Sequence, residues 1–243
     1  MNTATTNGDE ESNQGEKSVR RLIRIFLFLI LSLPKTIYFN FRVFNFGTAI
    51  KIPWIVGFNT KLSELHRGII RFSDNINIRP GIVKFGYGGS RGIVSNRYSE
   101  ICLQKGTLTI KGKAEFAEGC SLRLNGNLSI GNNFTANKNT FISCSCDDSF
   151  IGDDVLMGWN CSIRDSDGHS ILHDGVLKPA YKSVHIGNNC WICAESHILK
   201  GVYIGDNSVV AYRSTVTKGT EKNNVLLGGM PATVLQEGIE WER

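Results

Sequence analysis

Between Ile163 and Gly175 the sequence reads IRDSDGHSILHDG, which packs three aspartates, two histidines and two glycines into thirteen residues. Imidazole titrates near neutrality, so a histidine here suits general acid–base work. A neighbouring carboxylate suits holding the second ring nitrogen and stabilising the imidazolium. His169 is the candidate base, with Asp165 or Asp167 as the candidate support. The same Asp-Ser-Asp-Gly run also fits a turn closed by Asx hydrogen bonds. His173 lies four residues on and fits a surface position or a touch on substrate.

The chain around this stretch is repetitive. From Ile186 an aliphatic residue returns every six positions, at Ile192, Ile198, Ile204, Val210 and Val216. Four residues after the first five beats stand Cys190, Ser196, Val202, Ser208 and Ser214, all small. The same phase runs through Ile110, Phe116 and Leu122, through Ile130, Ala136 and Ile142, and through Ile151, Met157 and Ile163. A hexapeptide of this kind makes one short strand and one turn, and three make a triangular coil with the aliphatic residue inside. Glycines, and the Asn and Asp of IGNN, IGDD and IGDN, supply corner conformations. His185 and His197 fall on coil positions, and Cys120, Cys161 and Cys190 fall on small core positions. After Ile163 the next beat would fall at His169, and the rhythm resumes only at Ile186. Residues 164–185 therefore leave the prism as a loop, the kind of segment that carries function.

The 243 residues carry a net charge of +5, 26 glycines, 5 prolines and 7 cysteines. That charge is too small to imply nucleic acid. The odd cysteine number, with no secretory cleavage site, fits reduced thiols in the cytoplasm. Cys190-Trp-Ile-Cys193 lacks the second pair of a zinc ribbon, and GGSRG at 88–92 lacks the strand-loop-helix setting of a phosphate loop. Residues 1–19 read as a polar, acidic, disordered tail. Residues 20–51 read as a basic amphipathic helix lying at a membrane interface. Seven Lys or Arg and no acid fall between Lys17 and Lys51, and the unbroken apolar core, Ile25 to Leu33, is short of a bilayer span. Packing of this helix on its own domain or on an oligomer partner is the alternative. Residues 52–109 read as irregular opening coils that cap the prism, 110–225 as the regular repeat, and 226–243 as an external helix or strap.

SVHIGNNCWICAESHILKGVYIGDNSVVAYRSTVTKG, followed by VLLGGMPATVL, resembles the hexapeptide-repeat acetyltransferases: the maltose and galactoside enzymes and the O-acetyltransferases of bacterial polysaccharide synthesis. The resemblance covers about residues 110–235. It implies a left-handed parallel β-helix, a homotrimer, acetyl-CoA as acyl donor and no metal. It implies a sugar or polysaccharide-precursor hydroxyl as acceptor, with His169 as the catalytic histidine. By position it points to Asn137, with Asn139 as near neighbour, and Trp191 for acceptor contact, and to Ala194, Thr217 and Lys218 for CoA. Tyr212-Arg213-Ser214 stands where the family has Ala-Gly-Ser, so Tyr212 either stacks on the cofactor or alters its path, and Arg213 is placed to serve phosphate. A γ-class carbonic anhydrase-like metalloenzyme built on His169, His173 and His197, and a non-catalytic scaffold, are the alternatives.

Overall fold

A computed structural model describes residues 7–95 and 97–243. Helix α1 (Asn7–Val43) leads through a second helix of one turn, α2 (Phe46–Ala49), into a prism of three parallel sheets. Coil 1 is Trp54–Val56, Thr60–Ser63 and Ile70–Phe72; coil 2 is Val83–Phe85, Ser99–Leu103 and Leu108–Ile110. Coil 3 is Ala114–Phe116, Ser121–Leu124 and Leu128–Ile130; coil 4 is Phe134–Ala136, Phe141–Cys144 and Ser149–Ile151. Coil 5 is Leu156–Met157, Ser162–Arg164 and His185–Ile186; coil 6 is Trp191–Ile192, His197–Ile198 and Tyr203–Ile204. Coil 7, Val209–Val210 and Thr215–Val216, runs into an antiparallel hairpin of Val225–Gly229 and Ala232–Glu237. The first, second and third strands of successive coils stack into the first, second and third faces.

The register explains the six-residue beat. On the third face Ile130 pairs with Ile151, Ile151 with Ile186 and Ile186 with Ile204. On the second, Leu122, Ile142, Ile163, Ile198 and Val216 form the corresponding ladder. All of them are at most 4% exposed, so each beat is an interior rung. Strand stacking at about 4.8 Å buries each coil's edge against the next. An aromatic spine fills the N-terminal half, from Phe39 of α1 to Trp54 at 5.1 Å, then Phe85, Phe116 and Phe134 with centroids 5.0–6.4 Å apart.

Two kinds of corner residue divide the work of turning the chain. At these corners of the regular coils the left-handed backbone falls to Asn and Asp: Asn133, Asp154, Asn189, Asn207 and Asn224 all have φ between 50 and 58°. The glycines two residues before several of them are needed for space. A Cβ on Gly187 would lie 2.3 Å from Asp206 Oδ1, and one on Gly131 would lie 2.3 Å from Gly152.

Three expected boundaries change. Helix α1 begins at Asn7, so residues 7–19 are helical where a disordered tail was expected; residues 1–6 lie outside the described residues. Acidic residues at a helix N-terminus favour its dipole, and extending an existing helix costs less than nucleating one. The prism begins at Trp54, and coils 1 and 2 pair in full register with coil 3. These coils were expected to be irregular because long connections at 73–82 and 86–98 hide their period. The C-terminal segment pairs as a strand, and the chain beyond it continues along the first face. There Trp241 Nε1 donates to the Asn189 carbonyl at 2.8 Å and Arg243 to that of Asn133 at 2.7 Å.

Helix α1 closes the open end of the prism. Coil 1 has no strand before it, so the backbone of Trp54–Val56 would be an unpaired edge. Asn40 accepts from Trp54 N–H at 3.1 Å and donates to its carbonyl at 2.8 Å. Thr36 Oγ1 accepts from Val56 N–H at 3.0 Å and donates to its carbonyl at 3.2 Å. Ser32 Oγ accepts from Phe58 N–H at 3.0 Å, and Lys35 Nζ donates to the Phe58 and Thr60 carbonyls. Ser32, Thr36 and Asn40 repeat every four residues and share one helix face.

Candidate functional site

The break in the repeat forms an arm. At its base Asp167 N–H donates to the Ala180 carbonyl at 3.0 Å and Lys182 N–H to that of Asp165 at 2.9 Å. Beyond this neck, Ile171–His173 and Val176–Lys178 pair as an antiparallel hairpin clear of the prism. Ile171, Leu172, Val176 and Leu177 are each 55–68% exposed. His169 is exposed and lies just before this hairpin, after Gly168, whose φ of 80° turns the chain.

Neither aspartate meets it. Asp165 is 1% exposed, and its carboxylate accepts from Ser145 N–H at 2.8 and 2.9 Å, from Cys146 N–H at 2.8 Å and from Ser149 Oγ at 3.0 Å. It holds the coil 4 turn that lies beneath the arm. Asp167 pairs with Lys200, which also donates to the Pro179 carbonyl at 2.6 Å. Among the described residues, no hydrogen bond or ion pair joins His169 to either carboxylate, so both fasten the arm to the prism. The sequence left this open because burial, which makes an unpartnered carboxylate costly, does not show in a turn motif.

The remaining candidates fall on two edges. His169, Thr217 and Lys218 leave the edge between the second and third faces. Asn137, Ala194 and Tyr212 lie on the edge between the first and second, and Trp191 stands on the first face of coil 6. One chain therefore does not bring His169 to Asn137 or Trp191. The Asn137 amide is taken by the 86–98 connection: its Oδ1 accepts from Ser90 N–H at 2.9 Å and its Nδ2 donates to Ser90 Oγ at 2.6 Å. Asn139 Oδ1 accepts from Ser95 Oγ at 2.7 Å. Trp191 packs against Trp241 with centroids 5.8 Å apart, a contact of the C-terminal segment that no repeat position announced. Arg213 takes the left-handed conformation, φ 55°, pairs with Glu195 at 3.2 Å and lies 6.0 Å from the Tyr212 ring centroid.

Among the other histidines, His173 sits beside Asp174 at 3.1 Å, and His197 Nδ1 shares a 2.9 Å hydrogen bond with Ser162 Oγ. Among the described residues no cluster of His, Cys, Asp or Glu is arranged to hold a metal. The seven cysteines are free. Burial pushes the Cys120 and Cys190 thiols up to about 12 and those of Cys161 and Cys193 to about 11, which makes them poor nucleophiles.

Residues 183–218 match the family model "Bacterial transferase hexapeptide (six repeats)". The galactoside O-acetyltransferase of Escherichia coli (strain K12) is 40% identical over 115 residues, covering 46% of this chain and 54% of that protein. The chain thus spans about half the length of that curated relative. The crystal structure of the polySia specific acetyltransferase NeuO aligns with a TM-score of 0.52 at 20% identity, over 79% of this chain and 89% of that one. A galactoside acetyltransferase in complex with coenzyme A aligns with a TM-score of 0.40 at 32% identity, over 48% and 63%. The fold is the left-handed parallel β-helix, as the resemblance implied, against the general right-handed preference of parallel crossovers.

Proposed function

We propose that this protein is an acetyl-CoA-dependent O-acetyltransferase acting on a sugar hydroxyl in cell-surface polysaccharide or glycolipid synthesis. The observation that carries the proposal is an exposed histidine where the repeat breaks between Ile163 and Ile186, in a chain 40% identical over 115 residues to a galactoside O-acetyltransferase. Acetyl-CoA supplies the activated acyl group. His169 takes the proton from the acceptor hydroxyl as that oxygen attacks the thioester carbonyl. Once the new C–O bond has replaced the C–S bond, the imidazolium returns the proton to the departing thiolate. A positioned base of this kind contributes about 10²–10⁴-fold. Ala194, Tyr212, Thr217 and Lys218 are the residues offered to CoA, with the Lys218 ammonium suited to phosphate by charge.

The site is completed between subunits of a homotrimer. Its two halves leave different edges of a three-sided prism, and the arm carries exposed apolar residues that ask for a cover. Edge-to-edge contact of identical prisms is heterologous and closes as a ring of three when each step turns by about 120°. The protein is placed at the cytoplasmic face of a membrane. By length and composition Leu22–Val43 is long enough to span one, but Ser32, Lys35, Thr36 and Asn40 are bonded to coil 1. The part of that apolar stretch ahead of Ser32, residues 22–31, is about 15 Å of helix at 1.5 Å per residue, against a hydrocarbon core of about 30 Å. The helix therefore enters one leaflet, with Leu22, Phe26 and Ile30 exposed to it.

Thiol release from acetyl-CoA in the presence of sugar acceptors tests the activity. His169→Ala is expected to lose about 10²–10⁴-fold in kcat with an unchanged melting temperature, as befits an exposed base. Undiminished turnover in that variant would remove the histidine from the mechanism, and a monomer by sedimentation would remove the shared site.

A further inference from the structure

The reading above sets a direction on the prism. The residues offered to the donor lie in coils 6 and 7; of those offered to the acceptor, Trp191 lies in coil 6 and Asn137 in coil 4. An acceptor that runs from Trp191 past Asn137 extends away from the donor, toward coils 3, 2 and 1 and helix α1.

Two hollows that share Lys61 in their linings lie on that side. A cleft of about 460 Å³ runs down the second face from Asn139 in coil 4, past Arg123 in coil 3 and Glu100 in coil 2, to Lys61 in coil 1, with Arg97 from the 86–98 connection on its wall. Three cations stand in it against one carboxylate. Glu100 is committed to Arg123 at 2.8 Å, while Lys61 reaches it only at 3.9 Å with its side chain 70% exposed. At Lys61 this cleft meets a groove of about 520 Å³ between α1 and coil 1, walled by Leu31, Pro34 and Tyr38 of the helix and by Phe58 and Leu62 of the coil. That groove opens beside the exposed apolar surface of α1. From the sugar position outward the order is therefore polar turn, cationic cleft, apolar groove, membrane-seeking helix.

We propose that the acceptor is a glycan joined through a phosphate to a lipid chain. The chain lies in the groove between α1 and coil 1, the phosphate lies among Lys61, Arg97 and Arg123, and the glycan runs up the second face toward Asn139. The charge complementarity and the order of the two hollows select this occupant over a free polysaccharide, which needs no apolar groove, and over a bare lipid, which needs no cationic cleft. The assignment of direction rests on the O-acetyltransferase reading, whereas occupancy of the groove does not.

Equilibrium binding of tritiated farnesyl phosphate to the full-length protein in dodecyl maltoside tests it, with farnesol and inorganic phosphate as competitors. Saturable binding is expected, with farnesol and inorganic phosphate each weaker by about tenfold or more, since each lacks one of the two complementary parts. Tyr38→Asp, which sets a carboxylate in the apolar groove, is expected to weaken binding by at least about tenfold. Leu27→Asp, on the exposed helix surface outside the groove, is expected to leave binding unchanged. Circular dichroism and thermal melting of both variants show that they fold. Equal binding of farnesol and farnesyl phosphate overturns the proposal, as does equal loss in the two variants, which would mean detergent-like coating of the helix. Thiol release is measured separately on the wild type, with soluble sugars and with polyprenyl-phosphate-linked glycans as acceptors. Its absence with both, alongside specific farnesyl phosphate binding, would sink the transferase reading and leave the groove standing; its presence without such binding would do the reverse.

Discussion

Asp165 separates two accounts of the arm. If it supported His169, its loss would cost catalysis and little else. In the structure its carboxylate is instead the buried acceptor for three donors: the backbone N–H groups of Ser145 and Cys146 and the Ser149 hydroxyl. Asp165→Ala would leave all three inside a 1% exposed site. Each orphaned donor costs about 1–3 kcal/mol, and relaxation or an entering water offsets part of the sum. Breaking a buried charged network by removing one partner costs about 3–5 kcal/mol in comparable cases, and that is the expected loss for Asp165→Ala. Asp165→Asn keeps one acceptor oxygen and turns an NH₂ group toward the donors, so about half that loss is expected. Urea unfolding followed by circular dichroism measures both, beside kcat at a temperature where each variant is folded. A folded Asp165→Asn protein should keep most of its turnover, because His169 stands outside the network. A variant as stable as the wild type but slower by about 10⁴-fold, the loss seen when a base loses its orienting carboxylate, would refute the reasoning and restore Asp165 to the catalytic group.

Three further outcomes follow from the coordinates. Asn40→Ala leaves both the N–H and the C=O of Trp54 unpaired in a fully buried place, and should cost about 2–4 kcal/mol in urea unfolding; a loss under about 0.5 kcal/mol would mean the prism end is closed by something else. Gly187→Ala places a Cβ 2.3 Å from Asp206 Oδ1 and 2.8 Å from its backbone nitrogen, for an expected cost of about 1–3 kcal/mol by overpacking; an Ala variant as stable as the wild type would show that the corner can relax. For Cys120 and Cys190, pushed by burial from the usual 9.0 up to about 12, native labelling by iodoacetamide at pH 8 should run about 10³-fold below that of the urea-unfolded chain and rise about tenfold per pH unit. A folded thiol that holds its proton to higher pH stabilises the fold fully below about pH 9 and loses that contribution between 9 and 12. Equal native and unfolded labelling rates at pH 8 would place these thiols at the surface.

The sequence by itself determined the interior of the prism. A six-residue beat admits few structures besides a three-sided coil, because the beat residue must meet its counterpart in the next coil, and Ile130, Ile151, Ile186 and Ile204 do. It also marked the arm, since a missing beat has only one place to go. Coils 1 and 2 escaped that reading because pairing between coils tolerates connections of any length, so the register survives where the period is lost. Ser32, Thr36 and Asn40 were visible as polar residues in an apolar run, but a helix carries no sign of which backbone it will bond. Only the tertiary structure supplied the edge of Trp54–Val56 as their partner. The same holds for the site. Residue types and resemblance named His169, Asn137 and Trp191 together, whereas the fold put them on different edges of one prism. Periodicity fixes which residues share a face; which edges meet is decided by contacts between surfaces, and those depend on three-dimensional neighbours that no local pattern encodes.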